Sequence, residues 1–275
     1  MAVESVTETA MIWGTVSGAS MLGMVISLLL SVSLPIFLGI FIYKKTKAWV
    51  PAFFIGCGIF VGFAMILEQI CHAIVLTVTG DVIRDNIWLY AIYGGLAAAL
   101  FEECGRWIAM KFCLKKHLTR ENALMYGAGH GGIEAFLILG MSSMSNLLTA
   151  AMINGGMMEK TMTALEPAQQ EVTYHQLSVL WTTPAYQFYL APVERISAIA
   201  LQIALSILVY SAVKTGRKLH LAAAFGLHFA VDFLTVICAA AIPTWALELG
   251  LLLVIAVICV VVYQLVYVQM AEKKA

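Results

Sequence analysis

Seven apolar stretches dominate this chain, at roughly 21–43, 49–78, 87–112, 121–151, 187–213, 219–243 and 245–270. Each reaches the about 20 residues that a helix needs to cross a ~30 Å hydrocarbon core. Inside lipid every backbone polar group must be satisfied within the chain, which leaves helices or closed barrels. Continuous apolar runs of this length, without strand-like alternation, select helices. The sequence therefore predicts an all-α, polytopic transmembrane helical bundle of about seven spans, one integral membrane domain over residues 1–275. Composition agrees: 61% of residues are hydrophobic and 12% charged, against about 45–50% and about 25% in soluble domains. Residues 157–185 are more polar and are expected to form one large loop with a short helix.

The charges are arranged by side. Lys44, Lys45 and Lys47 follow the first span, Lys111, Lys115, Lys116 and Arg120 separate the third and fourth, Lys214, Arg217 and Lys218 separate the fifth and sixth, and Lys273 and Lys274 end the chain. The opposite loops carry only Arg84 and Lys160. Basic residues mark the cytoplasmic side, which predicts the N-terminus outside and the C-terminus inside. Residues 1–20 carry Glu4 and Glu8 but no Lys or Arg, so they lack the positive region of a signal peptide and the first span is expected to be retained. Trp49, Trp88, Trp181 and Trp245 fall near span ends, where interfacial anchors belong. Net charge is zero, which points to no nucleic-acid partner. The six cysteines all sit in apolar runs without a C-x-x-C pair; they read as small buried hydrophobes.

Against that apolar background, ionisable residues inside spans are costly, at about 2.5–3.5 kcal/mol each on insertion scales, and signal a partner or a task. Span three holds Glu102, Glu103 and Arg106, span four His130 and Glu134, and span six His228 and Asp232. Glu102/Arg106, His130/Glu134 and His228/Asp232 are each spaced i,i+4, so each pair shares a helix face. Glu102 and Glu103 precede Lys111 by nine and eight residues, and His130 and His228 each follow the last basic residue of their loop by ten. At 1.5 Å per residue all lie roughly 12–15 Å into the membrane. Three helices thus present carboxylates and imidazoles at one level.

Such a group suits the activation of water. A desolvated Glu can serve as general base, imidazole with carboxylate can hold a divalent metal, and Arg106 can keep the second Glu ionised or stabilise an oxyanion. The glycines around His130 allow close helix packing or the approach of a substrate backbone. No H-E-x-x-H motif is present. The plainer reading of each pair is an interhelical ion pair or hydrogen bond. Buried Glu, His and Asp also build proton relays, so a proton- or cation-coupled transporter is an alternative, and a non-catalytic immunity or scaffold protein is a third.

The motifs Glu102-Glu103-x-x-Arg106, His130-x-x-x-Glu134 and His228-x-x-x-Asp232, in order on three spans across about residues 85–240, resemble the YhfC family of bacterial membrane proteins. That family is similar to the PrsW proteases (E-E-x-x-K, F-x-x-x-E, H-x-x-x-D) and, more distantly, to the CAAX-prenyl and bacteriocin-processing proteases. Arg106 stands where PrsW proteins have Lys and His130 where they have Phe; Glu134, His228 and Asp232 match directly. The resemblance implies an intramembrane metallopeptidase of the bacterial cytoplasmic membrane, acting on a membrane protein or peptide substrate. Glu102 or Glu103 would activate water, with Arg106 as their electrostatic partner. Glu134, His228, Asp232 and His130 are then candidate ligands of a divalent metal, zinc being the expected one. Glu194-Arg195 resembles a stretch of the same family, and Gln202, at the depth of the cluster, stands near a place where relatives carry His. Glu68 and His72, also i,i+4, read as a structural pair or a cavity wall. His117, His175 and His220 carry no signal, and the methionines read as packing residues.

Overall fold

The computed structural model describes residues 11–270; Glu4, Glu8, Lys273 and Lys274 lie outside the described residues. Seven helices are long and apolar enough to cross a membrane, and no strand occurs among the described residues. They are α1 (Gly18–Thr46), α2 (Pro51–Thr79), α3 (Ile87–Cys113), α4 (Arg120–Asn154), α7 (Ala185–Thr215), α8 (Lys218–Ala239) and α9 (Thr244–Tyr267). The 157–185 region holds two helices where the sequence suggests one, α5 (Met157–Met162) and α6 (Pro167–Thr182). The protein is a multi-pass membrane protein.

Local chemistry sets the helix ends. The Ser17 hydroxyl caps α1 by accepting from Ser20 N at 3.0 Å, and Asn86 caps α3 by accepting from Trp88 N and Leu89 N. Thr119 caps α4, and Pro51 and Pro167 occupy the first turns of α2 and α6, where a missing N–H costs nothing. Gly216, in left-handed conformation at φ 75°, ends α7. Wider π-helical turns interrupt α2 at Val61–Glu68 and α4 at Phe136–Gly140.

Helix α7 is central: 72% of its most apolar window is buried, against 17–33% for the other six spans. Around it stand α1, α3, α4, α8 and α9; α2 packs on α4, and α3 is held between α2 and α8. The glycines of α4 admit close neighbours on three sides. Gly127 and Gly131 face the α7 backbone at Ile203 and Ile199, Gly129 faces the α2 backbone at Phe53, and Gly132 faces Pro35 of α1. Of the two roles the sequence allows these glycines, the structure shows helix packing. Exposed Leu29, Phe37, Leu253 and Val257 belong to the lipid-facing surface.

The loops carrying Lys44–Lys47, Lys111–Arg120 and Lys214–Lys218 gather at one end. There the Asn122 side chain accepts from Trp49 N at 2.7 Å and donates to His117 O at 2.7 Å, and the Trp49 ring stacks on His117 at 4.1 Å. At the other end α6 and residues 12–17 clasp each other. Tyr174 donates to Ile12 O at 2.7 Å, and Trp13 packs on Tyr174 and Trp181. Asn154 pairs with both backbone groups of Val16, at 2.8 and 3.0 Å. Asn154→Ala removes both bonds and is expected to lower stability by about 1–2 kcal/mol, read as a lower melting temperature in detergent.

Candidate functional site

Helices α3, α4, α7 and α8 bring the polar residues of the spans together. Glu102, Glu103, Arg106, His130, Glu134, Gln202 and His228 are 0–9% exposed. Asp232, one turn along the same α8 face as His228, is more open, with 37% of its side chain exposed.

Arg106 organises the group from behind. Its Nη1 donates to Gln202 O at 3.2 Å and its Nη2 to Gln202 Oε1. A guanidinium can only donate, so the Gln202 amide oxygen is fixed toward Arg106 and its NH₂ toward the carboxylates. That NH₂ donates to Glu102 Oε2 at 3.0 Å and to Glu134 Oε2 at 2.9 Å. Gln202 thus ties α3 to α4 from its place on α7. The other Glu134 oxygen accepts from Arg195 Nη1 at 3.2 Å, and Arg195 also pairs with its neighbour Glu194.

The two histidines play different parts. His130 Nε2 donates to Glu102 Oε2 at 2.9 Å, while its Nδ1 lies 3.5 Å from the Tyr126 hydroxyl. His130 is therefore spent behind Glu102 and does not line the cavity described next. His228 Nδ1 donates to Glu103 Oε1 at 2.8 Å. Its Nε2 faces Asp232 Oδ2 at 3.5 Å and Glu102 Oε2 at 4.0 Å. Adjacent in sequence, Glu102 and Glu103 diverge by the helical turn angle: Glu103 orients His228, and Glu102 lines the cavity.

That cavity, about 320 Å³, is walled by Glu102, Glu134, Arg195, Gln202, His228 and Asp232, with apolar residues of α9 closing one side. Five carboxylates (Glu102, Glu103, Glu134, Glu194 and Asp232) surround two guanidiniums, Arg106 and Arg195. Such an excess of negative charge, most of it buried, calls for cations.

A family model described as "YhfC intramembrane metalloprotease" matches residues 30–259. The chain belongs to the YhfC family. It is 43% identical over 204 residues to the uncharacterized membrane protein YhfC of Bacillus subtilis (strain 168), covering 71% of this chain and 76% of that protein. No solved structure matches.

The YhfC family name implies a metal, and the donors here fit a divalent ion in kind and charge. Carboxylates and imidazole are its usual ligands. The Glu103–His228 bond leaves Nε2 free toward the cavity, as a carboxylate does for a metal-binding histidine. Glu103 Oε2 is buried without a hydrogen-bond partner, an excess charge of the kind an ion beyond His228 would offset. Among the described residues, no three His, Cys, Asp or Glu side chains converge on one point.

Sequence spacing alone misses Gln202 as the link between carboxylates, Tyr126 as the partner of His130, and Arg195 as the partner of Glu134. The i,i+4 spacing of Tyr126 and His130 and the depth of Gln202 are the signals that point to such contacts beforehand.

Proposed function

We propose that the protein is an intramembrane peptidase that cleaves a membrane protein or membrane-associated peptide with a water activated by Glu102. The observation that carries this reading is the meeting of Glu102, Glu134, His228 and Asp232 at one cavity within the bundle, in a chain of a family described as metalloproteases. Glu102 Oε2 is held by His130 and Gln202, which leaves Oε1 to accept a proton from a water in the cavity. Glu102 then returns that proton to the leaving amine. Glu103 keeps His228 in one tautomer and orientation, and Arg106 keeps Gln202 in place, so the carboxylates are set before substrate arrives. His228 Nε2 and Asp232 Oδ2, 3.5 Å apart at the cavity, are the pair that would hold a divalent metal, with Glu134 across the cavity adding negative charge. A metal held by these residues would supply Lewis-acid polarisation of the scissile carbonyl. With the basic loops in the cytoplasm, the cavity lies toward the extracytoplasmic half of the bundle.

The test of hydrolysis is quantitative sequencing of protein N-termini in membranes from cells producing the chain or its Glu102→Gln variant. New termini within or beside apolar segments, seen only with the unaltered chain, are expected; identical termini in both would remove the peptidase reading. The metal has its own test. Protein purified in detergent and washed with a mild chelator is expected to retain about one divalent ion per chain, lost in His228→Ala. Mass spectrometry that finds none in either would leave a purely glutamate-based peptidase.

A further inference from the structure

A second cavity, about 290 Å³, lies between α2, α3 and α8, walled by Gln69, His72, Tyr90, Tyr93, Gly94 and Asp232. Asp232 and Val236 line both cavities. Its other end reaches Tyr90, one helical turn from the polar segment 79–86, where the exposed pair Asp81–Arg84 sits. Most of its named walls can hydrogen-bond, and they are linked. The Tyr93 hydroxyl lies 2.7 Å from His72 Nδ1, and His72 Nε2 lies 3.2 Å from Glu68 Oε1. Glu68 is 7% exposed and stands at the last position of the π-helical segment Val61–Glu68, a form of turn frequent at functional sites. Gln69, exposed about ten residues from the end of α2, donates one amide hydrogen to Ala64 O at 3.4 Å, which leaves its amide oxygen and second hydrogen at a depth where lipid offers no partner.

We infer that this second cavity is a water inlet, leading from the Asp81–Asn86 side of the membrane to the buried carboxylates through Asp232. A buried water needs two to four polar partners and about 30 Å³ of space; Gln69, Tyr90, Tyr93 and Asp232 supply the partners, and the volume holds several waters. Apolar walls alone would leave such a space dry. A site that consumes one water per bond cleaved, with its base 6% exposed, needs such a supply. The inference goes beyond the peptidase reading, because its test follows water and not cleavage.

The experiment uses single cysteines in a chain whose six native cysteines are replaced, labelled in membranes with a membrane-impermeant cationic methanethiosulfonate. Reaction requires a thiolate, which forms only where water reaches. Tyr93→Cys is expected to react about tenfold faster or more than Ile74→Cys, which faces outward from the same region of α2 at 59% exposure. It should do so from the side on which Asp85→Cys reacts, determined by comparing intact cells with inverted vesicles. Gly94 has open space where a side chain would go, so Gly94→Phe is expected to plug the cavity and slow labelling of Val236→Cys about fivefold or more. Should Tyr93→Cys fail to accumulate, His72→Cys reads the same wall. A rate at this wall no faster than at Ile74→Cys, labelling only from the opposite side, or a Val236→Cys rate indifferent to the plug overturns the inference. Absence of cleavage by the unaltered chain, with labelling as expected, would count against the peptidase reading alone.

Discussion

Glu102→Gln is expected to lower peptide hydrolysis by about 10³-fold while leaving the protein folded. The substitution keeps the shape of the side chain and removes the base, and positioned general bases contribute about 10²–10⁴-fold. It also removes one of five clustered carboxylates, so the remaining charges repel less and unfolding is not expected to become easier. Glu102 Oε2 accepts from both His130 and Gln202. The amide oxygen of the variant can keep both of those bonds while its NH₂ turns to the cavity. Glu103→Gln is the informative comparison. Glu103 lies outside the cavity and touches His228 through Nδ1 at 2.8 Å, so its loss relaxes the orientation of the imidazole, an effect of about 10–100-fold for groups that orient ligands. Cleavage of a reporter found among the altered termini, measured beside the melting temperature of each variant, separates the two. Glu102→Gln within about tenfold of the unaltered chain would remove Glu102 as the base.

Much of this architecture is legible in the sequence because membrane helices obey length and polarity rules. Seven apolar runs give seven spans, and counting residues from Lys111, Arg120 and Lys218 puts Glu102, His130 and His228 at one depth; the structure brings these three side chains into one network. What the count cannot give is direction. Glu102 and Glu103 lie one residue apart at one depth, yet only Glu102 lines the cavity. His130 and His228 look equivalent as i,i+4 partners of carboxylates, yet one is spent on Glu102 and Tyr126 and the other keeps a nitrogen toward the cavity. Gln202 carries no charge in an apolar helix, so nothing in hydropathy marks it as the amide between two glutamates. The i,i+4 spacing of Glu68 and His72 anticipates their pairing, but the π-helical segments Val61–Glu68 and Phe136–Gly140 rotate the faces that follow them, so which neighbours such faces meet does not follow from ideal helix spacing. In the 157–185 region the polar residues lack a helical period, and α6 is held through Tyr174 and Trp181 against Trp13, a contact distant in sequence.

Gly129→Val is expected to be the most damaging single substitution for the fold, with the protein failing to accumulate or losing more than about 3 kcal/mol, the upper end of ordinary overpacking costs. A Cβ at Gly129 would overlap Phe53 O and stand 2.6 Å from Phe53 C, backbone atoms that cannot swing aside. The contact is reciprocal, since a Cβ at Gly56 would overlap Tyr126 O and stand 2.8 Å from His130 N. Helices α2 and α4 therefore touch backbone to backbone, as small residues permit where the lipid offers no hydrophobic drive for association. Forcing them apart also moves His130, the next residue, away from Glu102, so the site should loosen with the fold. Even Gly129→Ala is expected to be severe, whereas Gly226→Ala in α8, with open space at its Cβ, should stay within about 0.5 kcal/mol as surface changes do. Melting temperatures in one detergent decide the matter: equal values for Gly129→Ala and Gly226→Ala would mean that α2 and α4 are not in backbone contact, and the placement of His130 behind Glu102 would lose its support.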